Sequence, residues 1–338
     1  MGDTRRLDAN KVISKKRFFD AIPVEDCMKG LDLATSPSTS AKVKRLVLIT
    51  PEDLKTPTIA LPTIAVAAGS LTAWASVLYY GAYKGKVSSL WTFPAMTAAC
   101  FASFTPAHDA MHSSIAKGIY KTPINHLIGI VSGVPLFLPF HAFQHEHLLH
   151  HKHTGTDKDP DIVLLQGSVL RRFFVWLLPE LLMLRKPTAL IKRPKALESV
   201  IFHLVVLYLM KMMCNRGMSK TALMKYWILP SRAAWWLLIY RFAYVPHRQH
   251  GKHHHTVLDN IYKATNVTGG ILNSNGLNLA VPLLNQHLHN IHHLYPRLPF
   301  SHYGAIWAKH KVALIAAGTE IRPLYSRRPR RTERTLGR

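Results

Sequence analysis

Residues 143–153 read Phe-Gln-His-Glu-His-Leu-Leu-His-His-Lys-His, five histidines and one glutamate within a few turns of chain. In a helix, His147, His150 and His151 stand at i, i+3 and i+4 and therefore share one face. Three neutral imidazoles on one face form half of a metal site, because nitrogen ligands of this kind suit iron, zinc, copper and nickel. Taken alone, the stretch also fits a solvated, histidine-rich surface helix.

Two other stretches repeat this spacing. His289, His292 and His293 have the same i, i+3, i+4 pattern, and His108 and His112 stand at i and i+4. One metal cannot use eight imidazoles, because a structural zinc takes about four protein ligands and a catalytic zinc about three. Two metals that share these nitrogens, with open positions for O2 and substrate, would use them all. The predicted ligands and catalytic residues are His108, His112, His147, His150, His151, His289, His292 and His293.

The composition of the 338-residue chain indicates a membrane protein with strongly basic polar segments. Hydrophobic residues make up 48% and charged residues only 18%, yet the net charge is +25, so apolar and charged residues lie in separate blocks. An excess of positive charge suits an anionic membrane face or an acidic protein partner. No nucleic-acid-binding motif is present, so we expect no nucleic acid partner. Cys27, Cys100 and Cys214 are few and scattered, which predicts no disulfide framework and suits a reducing compartment.

Long apolar segments alternate with the histidine clusters. Residues 58–83 and 87–106 suggest one pair of helices able to cross a hydrocarbon core of about 30 Å, and residues 199–213 and 221–245 suggest a second pair. Residues 1–50 are polar and basic and lack the apolar core of a secretory signal. The basic arm formed by residues 1–57 belongs on the cytosolic side by the positive-inside rule. The predicted fold is all-α and integral to the membrane, with two transmembrane hairpins, about four spans, and a cytosolic histidine-rich cap.

Three further segments do not predict simple crossings. Residues 123–143 contain Pro135 and Pro139, and a full crossing there would separate the first two histidine clusters, so an interfacial or re-entrant segment is predicted. Residues 169–183 combine apolar and charged side chains, as interfacial helices do. Residues 267–284 contain too many Gly and Asn for a span. The predicted organisation is a cytosolic arm (1–57), a catalytic membrane domain (58–318) and a basic tail (319–338).

The order and spacing of the three clusters resemble the histidine boxes of the membrane fatty-acid desaturase superfamily, over roughly residues 58–310. The stretches His108-Asp109-Ala110-Met111-His112, Pro246-His247-Arg248 and His292-His293-Leu294-Tyr295-Pro296 resemble the branch that holds carotenoid ring hydroxylases and ketolases beside many desaturases. The resemblance implies a histidine-ligated non-haem di-iron centre in the cytosolic cap, with two Fe, O2 as co-substrate and an external electron source.

The resemblance also implies a ninth nitrogen ligand between the last span and the third box. His247 is the preferred candidate and His250 the second choice, whereas residues 253–255 fit a solvated loop better. Asp109, Glu146, Asp159 and Asp161 are predicted to accept hydrogen bonds from ligating imidazoles. A cap or turn role is the alternative for the last two of these. Four aromatic side chains are candidates to line a substrate tunnel, although a position facing lipid or packed in the core is the preferred interpretation of each: Phe137, Phe140, Trp235 and Trp236.

Six of the other histidines separate into two classes. His126, His203, His302 and His310 stand apart from the boxes and are predicted to be ordinary packed or interfacial residues. The roles of His141 and His145, which flank the second box, stay open.

The predicted function is that of an O2-dependent fatty-acid desaturase, acting on an acyl-lipid or acyl-CoA. A carotenoid β-ring hydroxylase or ketolase is the alternative, and a histidine-rich membrane protein that binds or transports metal is the second alternative. No dinucleotide fingerprint or haem motif is present, so electrons are expected from cytochrome b5 or ferredoxin with its reductase. Lipid substrate and membrane lipids are the other expected partners. The expected location is the endoplasmic reticulum in a eukaryote, or a plastid membrane for a carotenoid enzyme.

Overall fold

The computed structural model describes residues 49–179, 194–248, 256–269, 280 and 282–323, which are mostly helical. The helices are α1 (Leu61–Val77, continued by the π-helical Leu78–Tyr83), α2 (Ser89–Met111), α3 (Lys121–Gly133), α4 (Phe140–His153), α5 (Ile162–Leu165), α6 (Val169–Leu177), α7 (Pro194–Asn215), α8 (residues 220–247), α9 (His289–Leu294) and α10 (Tyr303–Ala317). Short 3-10 segments are Gly118–Tyr120, Val134–Leu136, Gln286–Leu288 and Phe300–His302, and two strands are β1 (Asn266–Gly269) and β2 (Glu320–Pro323).

Two helices in the described part of the chain are long and apolar enough to cross a membrane. They are Leu61–Tyr83 and Leu197–Asn215, and a bent pair made of Gly118–Leu136 and Phe140–His153 would make a third. Both single helices leave most of their apolar surface uncovered by protein, including Leu61 at 69% exposure. A helix that is apolar on all sides suits a lipid environment, since nothing else covers its outer face.

The two other predicted spans, residues 87–106 and 221–245, form helices α2 and α8. Neither is among the helices that are apolar enough to cross a membrane alone. Helix α2 contains Thr92, Thr97 and Ser103, all buried against neighbouring helices. Their hydroxyls donate to carbonyls of their own helix, for example Thr97 Oγ1 to the Phe93 oxygen at 2.9 Å, so burial leaves no hydroxyl unpaired. Helix α8 is not a regular α-helix throughout, because it contains two π-helical stretches, Met224–Ile228 and Ile239–Tyr244.

The segment predicted to be re-entrant is a helix, a break and a second helix. Its two halves meet at 97°. The chain turns at Phe137, which takes a left-handed φ of 56°. Backbone carbonyls freed at the turn are satisfied by side chains of α8: the indole of Trp235 donates to the Leu136 oxygen at 2.7 Å, and that of Trp227 to the Pro135 oxygen at 3.0 Å. Irregular backbone is stable away from water only when protein groups pair with it in this way.

His141 joins α4 to the apolar helix α7. Its Nδ1 is hydrogen-bonded to Glu198 of α7, and its Nε2 lies 3.4 Å from Nδ1 of His126. The His141 side chain therefore links α4, which carries the second histidine cluster, to α7. Helix α6, inside the segment predicted to be interfacial, exposes Leu170 and Phe174 at 68% and 60%.

The all-α prediction missed one short sheet. Strands β1 and β2 pair in parallel, with Asn266 opposite Glu320 and Val267 opposite Ile321. Strand β1 lies at the start of the segment that was predicted not to span, and β2 lies in the residues predicted to be a basic tail. The sheet packs beside α9 and buries Val267 completely, in a cluster with Ile291 and Leu314.

Candidate metal centre

Four helices deliver the predicted histidines to one place. The last turn of α2 carries His108, and His112 is the residue that ends this helix. The His147, His150 and His151 side chains come from α4. The third cluster is on α9, a helix of six residues held by Asn290, whose amide donates to the backbone oxygens of residues 262 and 265. The last residue of α8 is His247.

The histidines form two groups of four whose donor atoms lie within 4.8 Å of one another. The first group contains a pair of Nε2 atoms, from His112 and His147, at 2.9 Å. In the second group, Nε2 of His289 lies 2.9 Å from that of His247 and 3.0 Å from that of His293. We call them group A (His108, His112, His147, His292) and group B (His150, His247, His289, His293).

His151 lies between the two groups. Its Nε2 is 3.2 Å from Nε2 of His147 and 2.8 Å from Nε2 of His292, both in group A. Its ring stacks on His293 of group B with centroids 4.1 Å apart. All eight predicted box residues and His247 are thus brought together, whereas His250 and residues 253–255 lie outside the described residues.

These nitrogens fit a pair of metal ions. The eight side chains of groups A and B are buried, and burial away from water disfavours a positive charge on an imidazole; only at His150 do the neighbouring carboxylates of Asp161 and Asp159 outweigh this effect. Neighbouring nitrogens about 3 Å apart match adjacent ligands around one ion with metal–nitrogen distances of about 2.1 Å. Nε2 of His289 has two Nε2 neighbours in group B, and an imidazole nitrogen carries either one hydrogen or one lone pair, so ordinary hydrogen bonding does not account for both contacts. Metal binding by these residues is our proposal.

The relationship to known proteins agrees with this geometry. A model of the fatty acid desaturase family matches residues 86–325, which is more than half of the chain. The chain belongs to the fatty acid desaturase family. It is 35% identical over 91 residues to the sn-1 oleoyl-lipid 12-desaturase of Synechocystis sp., covering 27% of this chain and 23% of that protein. It is 36% identical over 80 residues to the β-carotene ketolase of Paracoccus sp., covering 22% of this chain and 32% of that protein.

The matched segments span only about a quarter to a third of the length of these two relatives. Their own substrates therefore enter here only as proposals for this member of the fatty acid desaturase family.

One predicted acidic partner is in place and another is not. Asp159 Oδ1 accepts from Nδ1 of His150 at 2.8 Å, and both side chains are buried. Asp109 was predicted to accept from an imidazole, and this prediction is wrong. Its Oδ2 instead accepts from the Thr63 hydroxyl at 2.8 Å and from the Phe300 backbone N–H at 3.2 Å. This carboxyl therefore ties together the first helix, the second helix and the segment before α10.

One residue that contacts the histidines was not predicted, because it belongs to no box. The hydroxyl of Tyr303 lies 3.0 Å from Nδ1 of His292 in group A. Burial, with a smaller effect from Asp109, raises the pKa of this hydroxyl well above its ordinary value, so it stays a neutral phenol. The only available signal was position, since the residue begins the helix that follows the third box.

Aromatic rings cover the apolar side of group A. Phe104 stacks on His108 and Phe143 on His147, with centroids 5.6 Å and 6.3 Å apart. Trp235 contacts both of these phenylalanines. Three of the four aromatic residues named from the sequence lie at or near the bend. Phe137 stacks on Trp227, and Phe140 and Trp235 are buried. The sequence prediction thus did not include Phe104 and Phe143, whose rings stack on histidines of group A.

Proposed function

We propose that this chain is an O2-dependent non-haem di-iron membrane oxidoreductase that desaturates fatty-acyl chains. Two adjoining groups of four buried histidines, in a chain of the fatty acid desaturase family, are the observation that carries the proposal. The similarity to an oleoyl-lipid desaturase supports a lipid substrate. Helices that are apolar on their outer faces support a substrate that arrives from the bilayer.

Each side chain around the centre would have a defined role. Groups A and B would each hold one iron, with His151 beside both. Bound there, two irons would supply the O2 activation that removes hydrogen from an unactivated C–H bond. Asp159 would hold the His150 ring so that its other nitrogen points into group B. The rings of Phe104 and Phe143 would exclude water from the apolar side of group A.

The wider setting of the proposal is a cytosol-facing enzyme with about four spans, in the endoplasmic reticulum of a eukaryote or in a plastid membrane. Electrons would come from cytochrome b5 or ferredoxin. An acidic carrier of this kind would be attracted by the net charge of +25. The helices α2 and α8 would complete the two hairpins with the more apolar α1 and α7.

A carotenoid β-ring hydroxylase or ketolase is the second candidate, favoured by the 36% identity to the β-carotene ketolase over 80 residues. Both activities need O2, two electrons and an apolar substrate, so the metal centre alone does not separate them. The difference lies in whether the product loses a second hydrogen or gains oxygen.

The test combines metal and product analysis. Protein grown with iron-57 and purified in detergent should hold about two irons per chain with a coupled di-iron Mössbauer signal. Expression in a host that makes β-carotene, followed by lipid and pigment analysis, should give newly unsaturated acyl chains and unchanged pigment. Hydroxylated or ketolated pigment would replace the first candidate by the second. Labile zinc, with no change in either product, would instead support a metal-binding or transport protein. The His292→Ala variant serves as the inactive control.

A further inference from the structure

The two nitrogens of His292 face different surroundings. Its Nε2 lies 2.8 Å from Nε2 of His151, inside the histidine cluster, whereas its Nδ1 lies 3.0 Å from the hydroxyl of Tyr303. A neutral imidazole carries one N–H and one lone pair. If Nε2 binds a metal through its lone pair, the hydrogen is on Nδ1, and the Tyr303 oxygen accepts it.

Tyr303 is well placed to hold this ring still. Its side chain is completely buried, in a cluster with Leu288, Ile291 and Phe300. The backbone just before it is anchored, because the Phe300 N–H donates to Asp109 at 3.2 Å. A side chain fixed by packing and by a tethered backbone loses little further freedom when it forms a hydrogen bond. The hydroxyl therefore acts as a fixed acceptor behind group A.

In group B, a histidine is supported by a carboxylate and not by a hydroxyl. There the Nδ1 atom of His150 faces the carboxylate of Asp159 at 2.8 Å, and a carboxylate oxygen of Asp161 lies 3.7 Å away. Hydrogen bonds to ionised acceptors are roughly twice as strong as those to neutral ones, and an anionic partner increases the basicity of a ligating imidazole. A phenol gives His292 direction with less electrostatic support.

We propose that Tyr303 is a positioning residue for His292, and that its neutral hydroxyl leaves the group A metal position weaker than the group B position. The inference rests on the proposed metal binding by groups A and B. It means that the two irons are unequal: the first to leave on mild chelation comes from group A, and how readily it leaves depends on the Tyr303 hydroxyl.

The experiment compares Tyr303→Phe with the wild-type chain and with Tyr262→Phe. Tyr262 packs against the same buried cluster, so its substitution is a matched loss of one hydroxyl. Each iron-57-loaded protein is titrated with a chelator while iron content and the Mössbauer spectrum are followed. We expect Tyr303→Phe to bind one of its two irons about 10- to 100-fold more weakly, with loss of the coupled signal and retention of the second iron. Tyr262→Phe should behave as wild type, and thermal unfolding should show that both variants fold.

A second comparison separates positioning from general packing. In a His292→Ala background, Tyr303→Phe should weaken iron binding no further, because the ring that it positions is absent. Additional loss in that background would show a packing role and overturn the inference. The inference would also be overturned if wild type held two irons and Tyr303→Phe released iron at the same chelator concentrations. That result would leave the proposed function intact. Wild type that holds no iron would overturn both.

Discussion

At the scale of single residues, the histidines of the centre should separate sharply from the others in the chain. His150→Ala or His292→Ala removes a buried nitrogen from group B or group A. We expect each variant to lose turnover and to hold less iron than wild type, while its insertion into the membrane is unchanged. The control is His302→Ala, whose ring is half-buried and lies 3.3 Å from the Ser301 hydroxyl, away from both groups. It should retain nearly full activity, and an inactive control would mean that the ligand set is incomplete.

The Asp159 carboxylate, which contacts His150, allows a test of group B alone. Besides His150, it accepts from the backbone N–H groups of Gly155 and Asp161 at 3.0 and 2.9 Å. Asp159→Asn keeps the shape but removes the charge, so we expect iron affinity in group B to fall about 10- to 100-fold. The matched control is Asp161→Asn. The nearest carboxylate oxygen of Asp161 lies 3.7 Å from Nδ1 of His150, so this variant should have a smaller effect on iron affinity. Equal losses in the two variants would contradict a specific role for Asp159.

Residue patterns predicted which histidines lie together better than they predicted the contacts around those histidines. The i, i+3, i+4 spacing pointed to His147, His150 and His151 because that spacing has a single meaning on a helix. No local pattern could reveal that Tyr303 meets His292, or that Asp109 turns toward Thr63 instead of an imidazole. These contacts depend on how α1, α2 and α10 pack, and that packing is set by residues distant in sequence.

At the scale of elements, the bend between α3 and α4 decides where the second histidine box lies. The Trp235 indole donates to the Leu136 oxygen at 2.7 Å, at the point where the helix has left that carbonyl unpaired. Trp235→Phe keeps most of the ring but removes the donor, so we expect a loss of about 1–3 kcal/mol in the free energy of unfolding. The measurement is thermal or denaturant unfolding in detergent. Trp236→Phe is the control, because the buried Nε1 of Trp236 has no hydrogen-bond partner among the described residues. A larger loss from Trp236→Phe would contradict this account.

Element predictions succeeded where one physical signal dominated. Proline and apolar length marked the bend and the helices α1 and α7. The strand pair was missed because β1 and β2 are four residues each and lie far apart in sequence, so neither has a pattern long enough to identify it. Helix α2 shows a limit of hydropathy as a signal for spans. Hydropathy counts Thr92 and Thr97 as polar, although their hydroxyls already donate to backbone oxygens one turn earlier.

At the scale of the whole molecule, one ion-pair cluster joins the segment before α1 to α10. Asp53 contacts Lys309 at 2.6 Å and His310 at 3.0 Å, and also accepts from the Thr50 N–H. The Lys309 ammonium, with Thr50, holds the pKa of the Asp53 carboxyl well below its usual range. A carboxyl with a lowered pKa stabilises the fold above its ordinary pKa of about 4, and this contribution is lost as the pH falls through the lowered value.

The consequence is a pH-dependent difference between wild type and Asp53→Asn. We expect wild type to have the higher unfolding temperature near neutral pH, and the two proteins to converge as the pH is lowered well below about 4. Limited proteolysis near Thr50 should be faster in the variant, because the segment loses its contact with α10. Glu320→Gln is the control, since its ion pair with Arg322 is on β2. A difference that persists unchanged into acid would contradict the assignment to this carboxyl.

The charge of the whole chain should govern how it receives electrons. With 43 Lys and Arg against 18 Asp and Glu, it should attract an acidic carrier over distances that salt controls. Between about 0.1 M and about 1 M salt the Debye length falls from about 10 Å to about 3 Å, so we expect reduction by cytochrome b5 or ferredoxin to slow steeply over this range. Stopped-flow reduction of the iron-loaded protein measures this rate.

Deletion of residues 324–338, which contain six Arg and one Glu, is the matched variant. If these charges steer the carrier, the shortened chain should be reduced more slowly at low salt and at the same rate as wild type at high salt, because screening removes only the long-range attraction. If they serve the membrane instead, the deletion should leave the rate of reduction unchanged and weaken binding to vesicles that contain anionic lipid. A wild-type rate that does not vary with salt would contradict electrostatic steering altogether and point to a carrier that binds through apolar contacts.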